Sequence, residues 1–185
     1  MKKYLLTFVV VFVAYLVGDA IYTEMTKDKT PGKAKRLPCQ KKVTSFERSF
    51  SDPDVKYVQS LIEQGSVEFA SFVEPAKYAK STLFEYITLE EMDSAFKDYL
   101  HSYVKYNETN EHHYKLYYYV YENDKKDPGK KSAKSKLYAG YVVLEVKNTD
   151  NKSIYKVQID LMDPKGSDIV STIKCAIKSL MTYKK

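Results

Sequence analysis

Three groups of residues in this sequence carry side chains suited to chemistry or to binding. Cys39 and Cys175 are the only cysteines. Glu111-His112-His113, with His101 and Glu108 nearby in sequence, has the donor types of a metal site or a proton shuttle. The third group is tyrosine, which occurs 18 times and is densest between Tyr114 and Tyr121.

Each group has a sharper and a plainer reading. A helix turning ~100° per residue puts Cys175 with Ser171, Lys174, Lys178 and Thr182, opposite its apolar stripe, so Cys175 is not expected to be a core hydrophobe. In an oxidising compartment a Cys39–Cys175 bridge would pin the segment around Cys39 to the last helix. Two unpaired thiols and an intermolecular bridge are the alternatives.

The histidines face a geometric obstacle. Neighbouring residues entering a strand point to opposite faces, so His112 and His113 are not expected to share a ligand. No second ligand set with metal spacing follows them, and the plainer reading is a polar turn from helix to strand. We expect no metal, no cofactor and no catalytic residue identifiable from sequence. Neither cysteine has a histidine beside it, and G-x-S-x-G, glycine-rich phosphate loops and HExxH are missing.

In the tyrosine run, Tyr114, Leu116, Tyr118 and Val120 share one face, while Tyr117, Tyr119 and Tyr121 share the other with Lys115. Both faces are aromatic, which a sheet covered on one side does not require. Either helices cover both, or one aromatic surface is left for a partner or ligand. Tyr117, Tyr119, Tyr121 and Tyr141 are the candidate binding residues.

The elements that position these groups follow from periodicity. Ser51-Asp52-Pro53-Asp54 opens a helix with apolar Val55, Val58, Leu61 and Ile62, stopped at Gly65. Thr88 and Glu91 have capping-box spacing, and the helix after them is expected to run to about Tyr106, with Met92, Ala95, Phe96, Tyr99, Leu100, Tyr103 and Val104 on one face. Strands are expected at 114–121, 137–146 and 154–161, the last two joined by the turn Asn148-Thr149-Asp150-Asn151. Ser167-Asp168 precedes a last helix carrying Ile169, Val170, Ile173, Ala176, Ile177, Leu180 and Met181. Residues 66–87 read equally as strand or helix. The fold class expected is α+β: a small three-stranded antiparallel meander with helices on one face.

The N-terminus speaks to location. After Lys2 and Lys3, residues 4–17 contain Thr7 as the only non-apolar side chain, the pattern of a membrane-targeting segment. The run is shorter than the ~20 residues of a spanning helix. Gly18-Asp19-Ala20 resembles a signal-peptidase site, so cleavage between Ala20 and Ile21 is expected, giving a periplasmic, outer-surface or secreted protein. A retained anchor with an exported domain is the alternative. A cytosolic domain on that anchor is the third, favoured by Lys27, Lys29, Lys33, Lys35, Arg36, Lys41 and Lys42 through the positive-inside rule.

Those cations account for the charge. The formal charge is +6, and residues 25–42 supply all of it, leaving a neutral domain at 51–185 behind a basic linker at 21–50. Membrane contact through residues 1–42 is one reading and a solvated spacer the other. Arg36 and Arg48 are the only arginines among 30 basic residues, which argues against specific nucleic-acid reading. The Lys, Tyr and Asn richness matches AT-rich, low-GC bacterial coding. The leading expectation is a non-enzymatic, exported or membrane-tethered domain that binds a protein partner in a cell-envelope or secretion setting. A small-ligand or lipid-binding module using the tyrosine face comes second, and a hydrolase using His112 or His113 third.

Overall fold

The computed structural model describes residues 36–106, 114–130 and 137–184. The N-terminal apolar segment, its expected cleavage point, Glu108 and Glu111-His112-His113 lie outside these residues. No helix among those described is long and apolar enough to cross a membrane.

The expected three-stranded antiparallel meander is replaced by a five-stranded mixed sheet backed by three helices. In chain order the elements are a 3₁₀ turn Pro38–Lys41, β1 Ser45–Ser49, α1 Asp52–Gln64, β2 Glu68–Glu74, α2 Leu89–His101, β3 Tyr114–Glu122, β4 Gly140–Asn148, β5 Ser153–Leu161 and α3 Ile169–Thr182. The strands lie in the order β1-β5-β4-β3-β2. Three pairings are antiparallel, and β2 runs parallel to β3. A parallel pair needs a crossover of a dozen or more residues, and α2 lies within it. The extra strands are the two edges. β1 falls in the stretch read as linker, and β2 in the stretch read as strand or helix.

Local chemistry explains most boundaries. Thr88 and Glu91 form the capping box: Glu91 N–H donates to Thr88 Oγ1 at 3.2 Å, and Thr88 N–H donates to Glu91 Oε2 at 2.8 Å. Helix α2 ends at His101, earlier than expected, because Lys105 and Tyr106 donate their N–H groups to the Glu63 carbonyl (2.7 and 3.1 Å). Gly65 ends α1 at φ 78°, the left-handed conformation that costs glycine least. Asp168 precedes α3, but its carboxylate accepts from Met162 and Asp163 N–H (2.7 and 3.2 Å) instead of capping the helix.

All three helices pack on the face of the sheet that carries Tyr114, Leu116, Tyr118 and Val120. Phe96 of α2 stacks on Tyr118 with ring centroids 4.5 Å apart. Tyr57 of α1 meets Tyr114 edge-on at 5.8 Å. Tyr183, just past α3, meets Tyr155 at 5.7 Å. Leu116, Tyr118, Val120, Leu144, Val157 and Ile159 are fully buried there, so hydrophobic burial closes this side of the domain.

Candidate functional site

The other face of the sheet carries every candidate tyrosine. Strand register arranges its side chains in transverse rows. Glu74, Tyr121, Tyr141 and Asp160 form the first. Phe72, Tyr119, Val143, Gln158 and Phe46 form the second. Ala70, Tyr117, Glu145, Lys156 and Arg48 form the third, and Glu68, Lys115 and Lys147 the fourth. Among the described residues, no helix lies over these rows.

The rings are ordered by stacking. Phe72 and Tyr119 lie 4.7 Å apart at an interplanar angle of 12°, and Tyr121 and Tyr141 lie 4.6 Å apart at 20°. Tyr138 flanks Tyr141 at 6.5 Å. Lys147 sits 5.2 Å over the Tyr117 ring and Lys130 sits 5.3 Å over Tyr121, each within the range of a cation–π contact. Burial pushes the Tyr141 phenol up to about 12, helped by Tyr119, Tyr121, Tyr138 and Glu74 around it. These four candidate tyrosines are half-buried, Phe72 is 46 % exposed and Phe46 63 % exposed. The structure therefore brings Tyr117, Tyr119, Tyr121 and Tyr141 together, and adds Phe72, Tyr138 and Phe46, which sequence reading missed. Phe72 carried a signal in the alternation of β2; Phe46 carried none, because its strand was not recognised.

Charge is segregated along the strands. Glu74 and Asp160 mark the first row. Lys156, Arg48, Lys115 and Lys147 crowd the third and fourth, against Glu145 and Glu68. Glu145 is held between Lys147 and Lys156 at 3.9 and 4.0 Å, and Lys115 reaches Glu68 at 3.8 Å. Asp160 is buried, and its pKa is raised by desolvation, with the Gln158 side chain hydrogen-bonding in opposition. Among the described residues no cation pairs with it.

A cleft of ≈ 250 Å³ opens beside the first row, lined by Glu74, Pro75, Lys77, Tyr78, Tyr121, Asp124 and Asp127. Two carboxylates, Asp124 in its lining and Glu122 behind it, hold the loop after β2 that forms part of its wall. Glu122 accepts from the N–H groups of Ala76, Thr82 and Leu83 at 3.0, 2.8 and 3.0 Å. Asp124 accepts from Lys77 and Tyr78 N–H at 2.7 and 2.5 Å. Burial pushes the Glu122 and Asp124 carboxyls up, but Ser81 and backbone donors at Glu122, and backbone donors at Asp124, outweigh it and hold both below the usual range. Both carboxylates are committed to the loop after β2. Gly140 permits this corner: a Cβ there would stand 2.2 Å from the Tyr121 carbonyl.

Cys39 and Cys175 form a disulfide across 136 residues, with Cα atoms 6.2 Å apart. The expectation that Cys175 sits on a solvent-facing polar side is corrected: it is buried, as are Ser179 one turn on and Thr172. The 3₁₀ turn covers this side of α3. Gln40, 1 % exposed, donates from Nε2 to Ser179 Oγ (2.7 Å) and to Glu47 Oε2 (3.1 Å), and its Oε1 accepts from Leu37 N–H (2.7 Å). Tyr155 completes the cluster by donating to Glu47 Oε1 at 2.6 Å. Small polar residues on α3 thus face polar residues from the segment read as linker.

Among the described residues no group of three or more His, Cys, Asp or Glu is placed to hold a metal ion. No family model and no curated protein matches the sequence. Two solved structures of the PelC dodecamer from Paraburkholderia phytofirmans, one of them a point variant, are similar at TM-scores of 0.36 and 0.35 and 14 % and 13 % identity, each comparison covering 76 % of this chain and 99 % of the other.

Proposed function

We propose that this chain is an exported binding protein whose domain holds a protein partner on the tyrosine face of its sheet. The observation that carries this reading is the row structure: stacked, half-buried rings on a face that no described helix occupies. A flat array of this kind suits a protein surface, where tyrosine supplies contact area at low conformational cost. A small ligand needs a walled pocket instead, and the adjacent cleft takes in only Tyr121 of the four candidates. The intramolecular disulfide supports an oxidising compartment, in keeping with the targeting pattern of residues 1–20.

The test is the double variant Tyr117→Ser with Tyr119→Ser, compared with wild type in affinity capture from envelope extract. Central aromatic anchors contribute ~2 kcal/mol or more each, so a folded double variant should lose the wild-type partner. A folded double variant that keeps every wild-type partner would overturn the reading. The mass of the native N-terminus tests export separately: processing after Ala20 is expected, and an intact Met1 would return weight to a retained anchor.

A further inference from the structure

We infer that a second copy of this chain docks on the tyrosine face, sheet against sheet, about a two-fold axis lying along the row Phe72–Tyr119–Val143–Gln158–Phe46. This rests on the reading that the face binds protein and names the partner. The charge rows select the geometry. A dyad parallel to the strands would lay the acidic first row on its own copy and the basic rows on theirs. A dyad along the second row instead turns each copy's first row onto the other's third.

The register then specifies the contacts. Asp160 comes opposite Lys156 of the second copy, with Arg48 of that copy beside it, because Lys156 pairs with Arg48 across the strands. Tyr121 comes opposite Tyr117, and Tyr119 meets its own copy beside Val143, which is already fully buried in one copy. Each contact occurs twice by symmetry. Asp160, buried and without a cation among the described residues of its own copy, acquires one. Lys156, 40 % exposed at its side chain and only 4.0 Å from Glu145, has donors to spare. Strands related in this way remain aligned, as face-packed sheets require, ~10 Å apart with interdigitated side chains.

The size of the face sets the strength. Five strands at ~4.8 Å and four rows at ~6.7 Å span roughly 24 by 27 Å, about 600 Å² per copy. That is at the low end for a specific interface, so the dimer should be concentration-dependent, with dissociation on the order of micromolar.

The test uses the full chain in sedimentation equilibrium from about 1 to 500 μM. Wild type should double its apparent mass across that range. Lys156→Asp and Asp160→Lys should each remain monomeric, since each sets like charges against each other at two places. Mixed in equal amounts, the two variants should recover association within about tenfold of wild type, because only the heterodimer restores both opposite-charge pairs. Circular dichroism reports whether Asp160→Lys is folded, and if it is not, Asp160→Asn replaces it with at least a tenfold weakening expected. A wild type monomeric at 500 μM overturns the inference; the capture result with Tyr117→Ser and Tyr119→Ser then decides the partner reading separately. A dimer indifferent to Lys156→Asp, or variants that fail to rescue one another, overturns it as well.

Discussion

Strand β3 carries aromatic rings on both faces of the sheet, and the two faces are built for opposite ends. On β3, Leu116, Tyr118 and Val120 are fully buried against helices, while Tyr117, Tyr119 and Tyr121, one position away, are half-buried on the side over which no described helix lies. Tyr118 and Tyr119 differ less in type than in company. Tyr118 stacks on Phe96 and donates its hydroxyl to Asp93 of α2, so its polar end is satisfied inside the protein. Tyr119 stacks on Phe72, a residue nearly half exposed. Aromatic content therefore does not define the core; a partner element does.

The helical face is also locked covalently, and breaking that lock should have the largest effect. With the cysteines 136 positions apart in sequence, the chain-entropy model assigns the bridge ~4 to 5 kcal/mol. Cys39→Ser with Cys175→Ser should lose about that much in equilibrium urea unfolding, with a larger m-value because the unbridged unfolded chain is less compact. A loss below ~1 kcal/mol would show that Gln40 and its hydrogen bonds hold the turn on α3 without help.

Next in size is the core tyrosine. Tyr118→Ala should cost ~3 to 5 kcal/mol, by cavity formation and by stranding Asp93 without its donor. Tyr118→Phe separates the two causes: it keeps the stacking and loses only the hydroxyl, for ~1 to 2 kcal/mol. If both variants cost the same, the hydrogen bond rather than packing carries the helical face at this point.

Glu122 offers a smaller and pH-dependent effect. Replacing it by Gln removes an acceptor from the Ala76, Thr82 and Leu83 N–H groups and should cost ~1 to 3 kcal/mol. Both Glu122 and Asp124 titrate lower in the folded protein than in the unfolded chain. Their stabilisation is present above the ordinary carboxylate pKa of ~4 and is lost as pH falls through the folded values. Asp160 has the opposite sign: its raised pKa penalises the fold at neutral pH and the penalty lifts on acidification. The melting temperature should therefore fall below about pH 4 in wild type, and less steeply in Glu122→Gln. An unchanged acid limb in that variant would remove Glu122 from the loop's support.

The same contrast explains what the sequence revealed and what it hid. The helices and the three central strands announced themselves, because their buried faces carry apolar residues at the period of the element. Strand β1 broke that rule in both directions. Phe46 points to the face opposite the described helices, while Glu47 points to the helical side, where Tyr155 and Gln40 donate to it. Pattern reading assigns apolar residues inward, so Ser45-Phe46-Glu47-Arg48-Ser49 read as linker. Cys175 failed for the same reason: helical periodicity set it with polar neighbours, and nothing in the pattern said that a polar turn would bury that side. That Tyr117, Tyr119 and Tyr121 share one face was legible from alternation alone. Their stacking with Phe72 and Tyr141 was not, since it depends on register between strands distant in sequence.

The smallest expected effect is the one on which the contrast between the faces depends. Tyr119→Thr puts a β-branched residue, which suits a strand, in place of the ring and removes one partner from a stack over which no described helix lies. Stacked aromatic pairs contribute ~0.5 to 1.5 kcal/mol beyond area burial, and threonine retains strand propensity, so a loss of about 1 kcal/mol is expected. Tyr118→Thr, one residue away, should cost at least ~3 kcal/mol, because it opens a cavity under α2 and leaves Asp93 unpaired. Measured side by side in urea, the two should differ by ~2 kcal/mol or more. Equal losses would mean that Tyr119 is core and that the second face is covered as well as the first. The rows would then be packing rather than a docking surface, and the partner reading and the two-fold dimer would fall together.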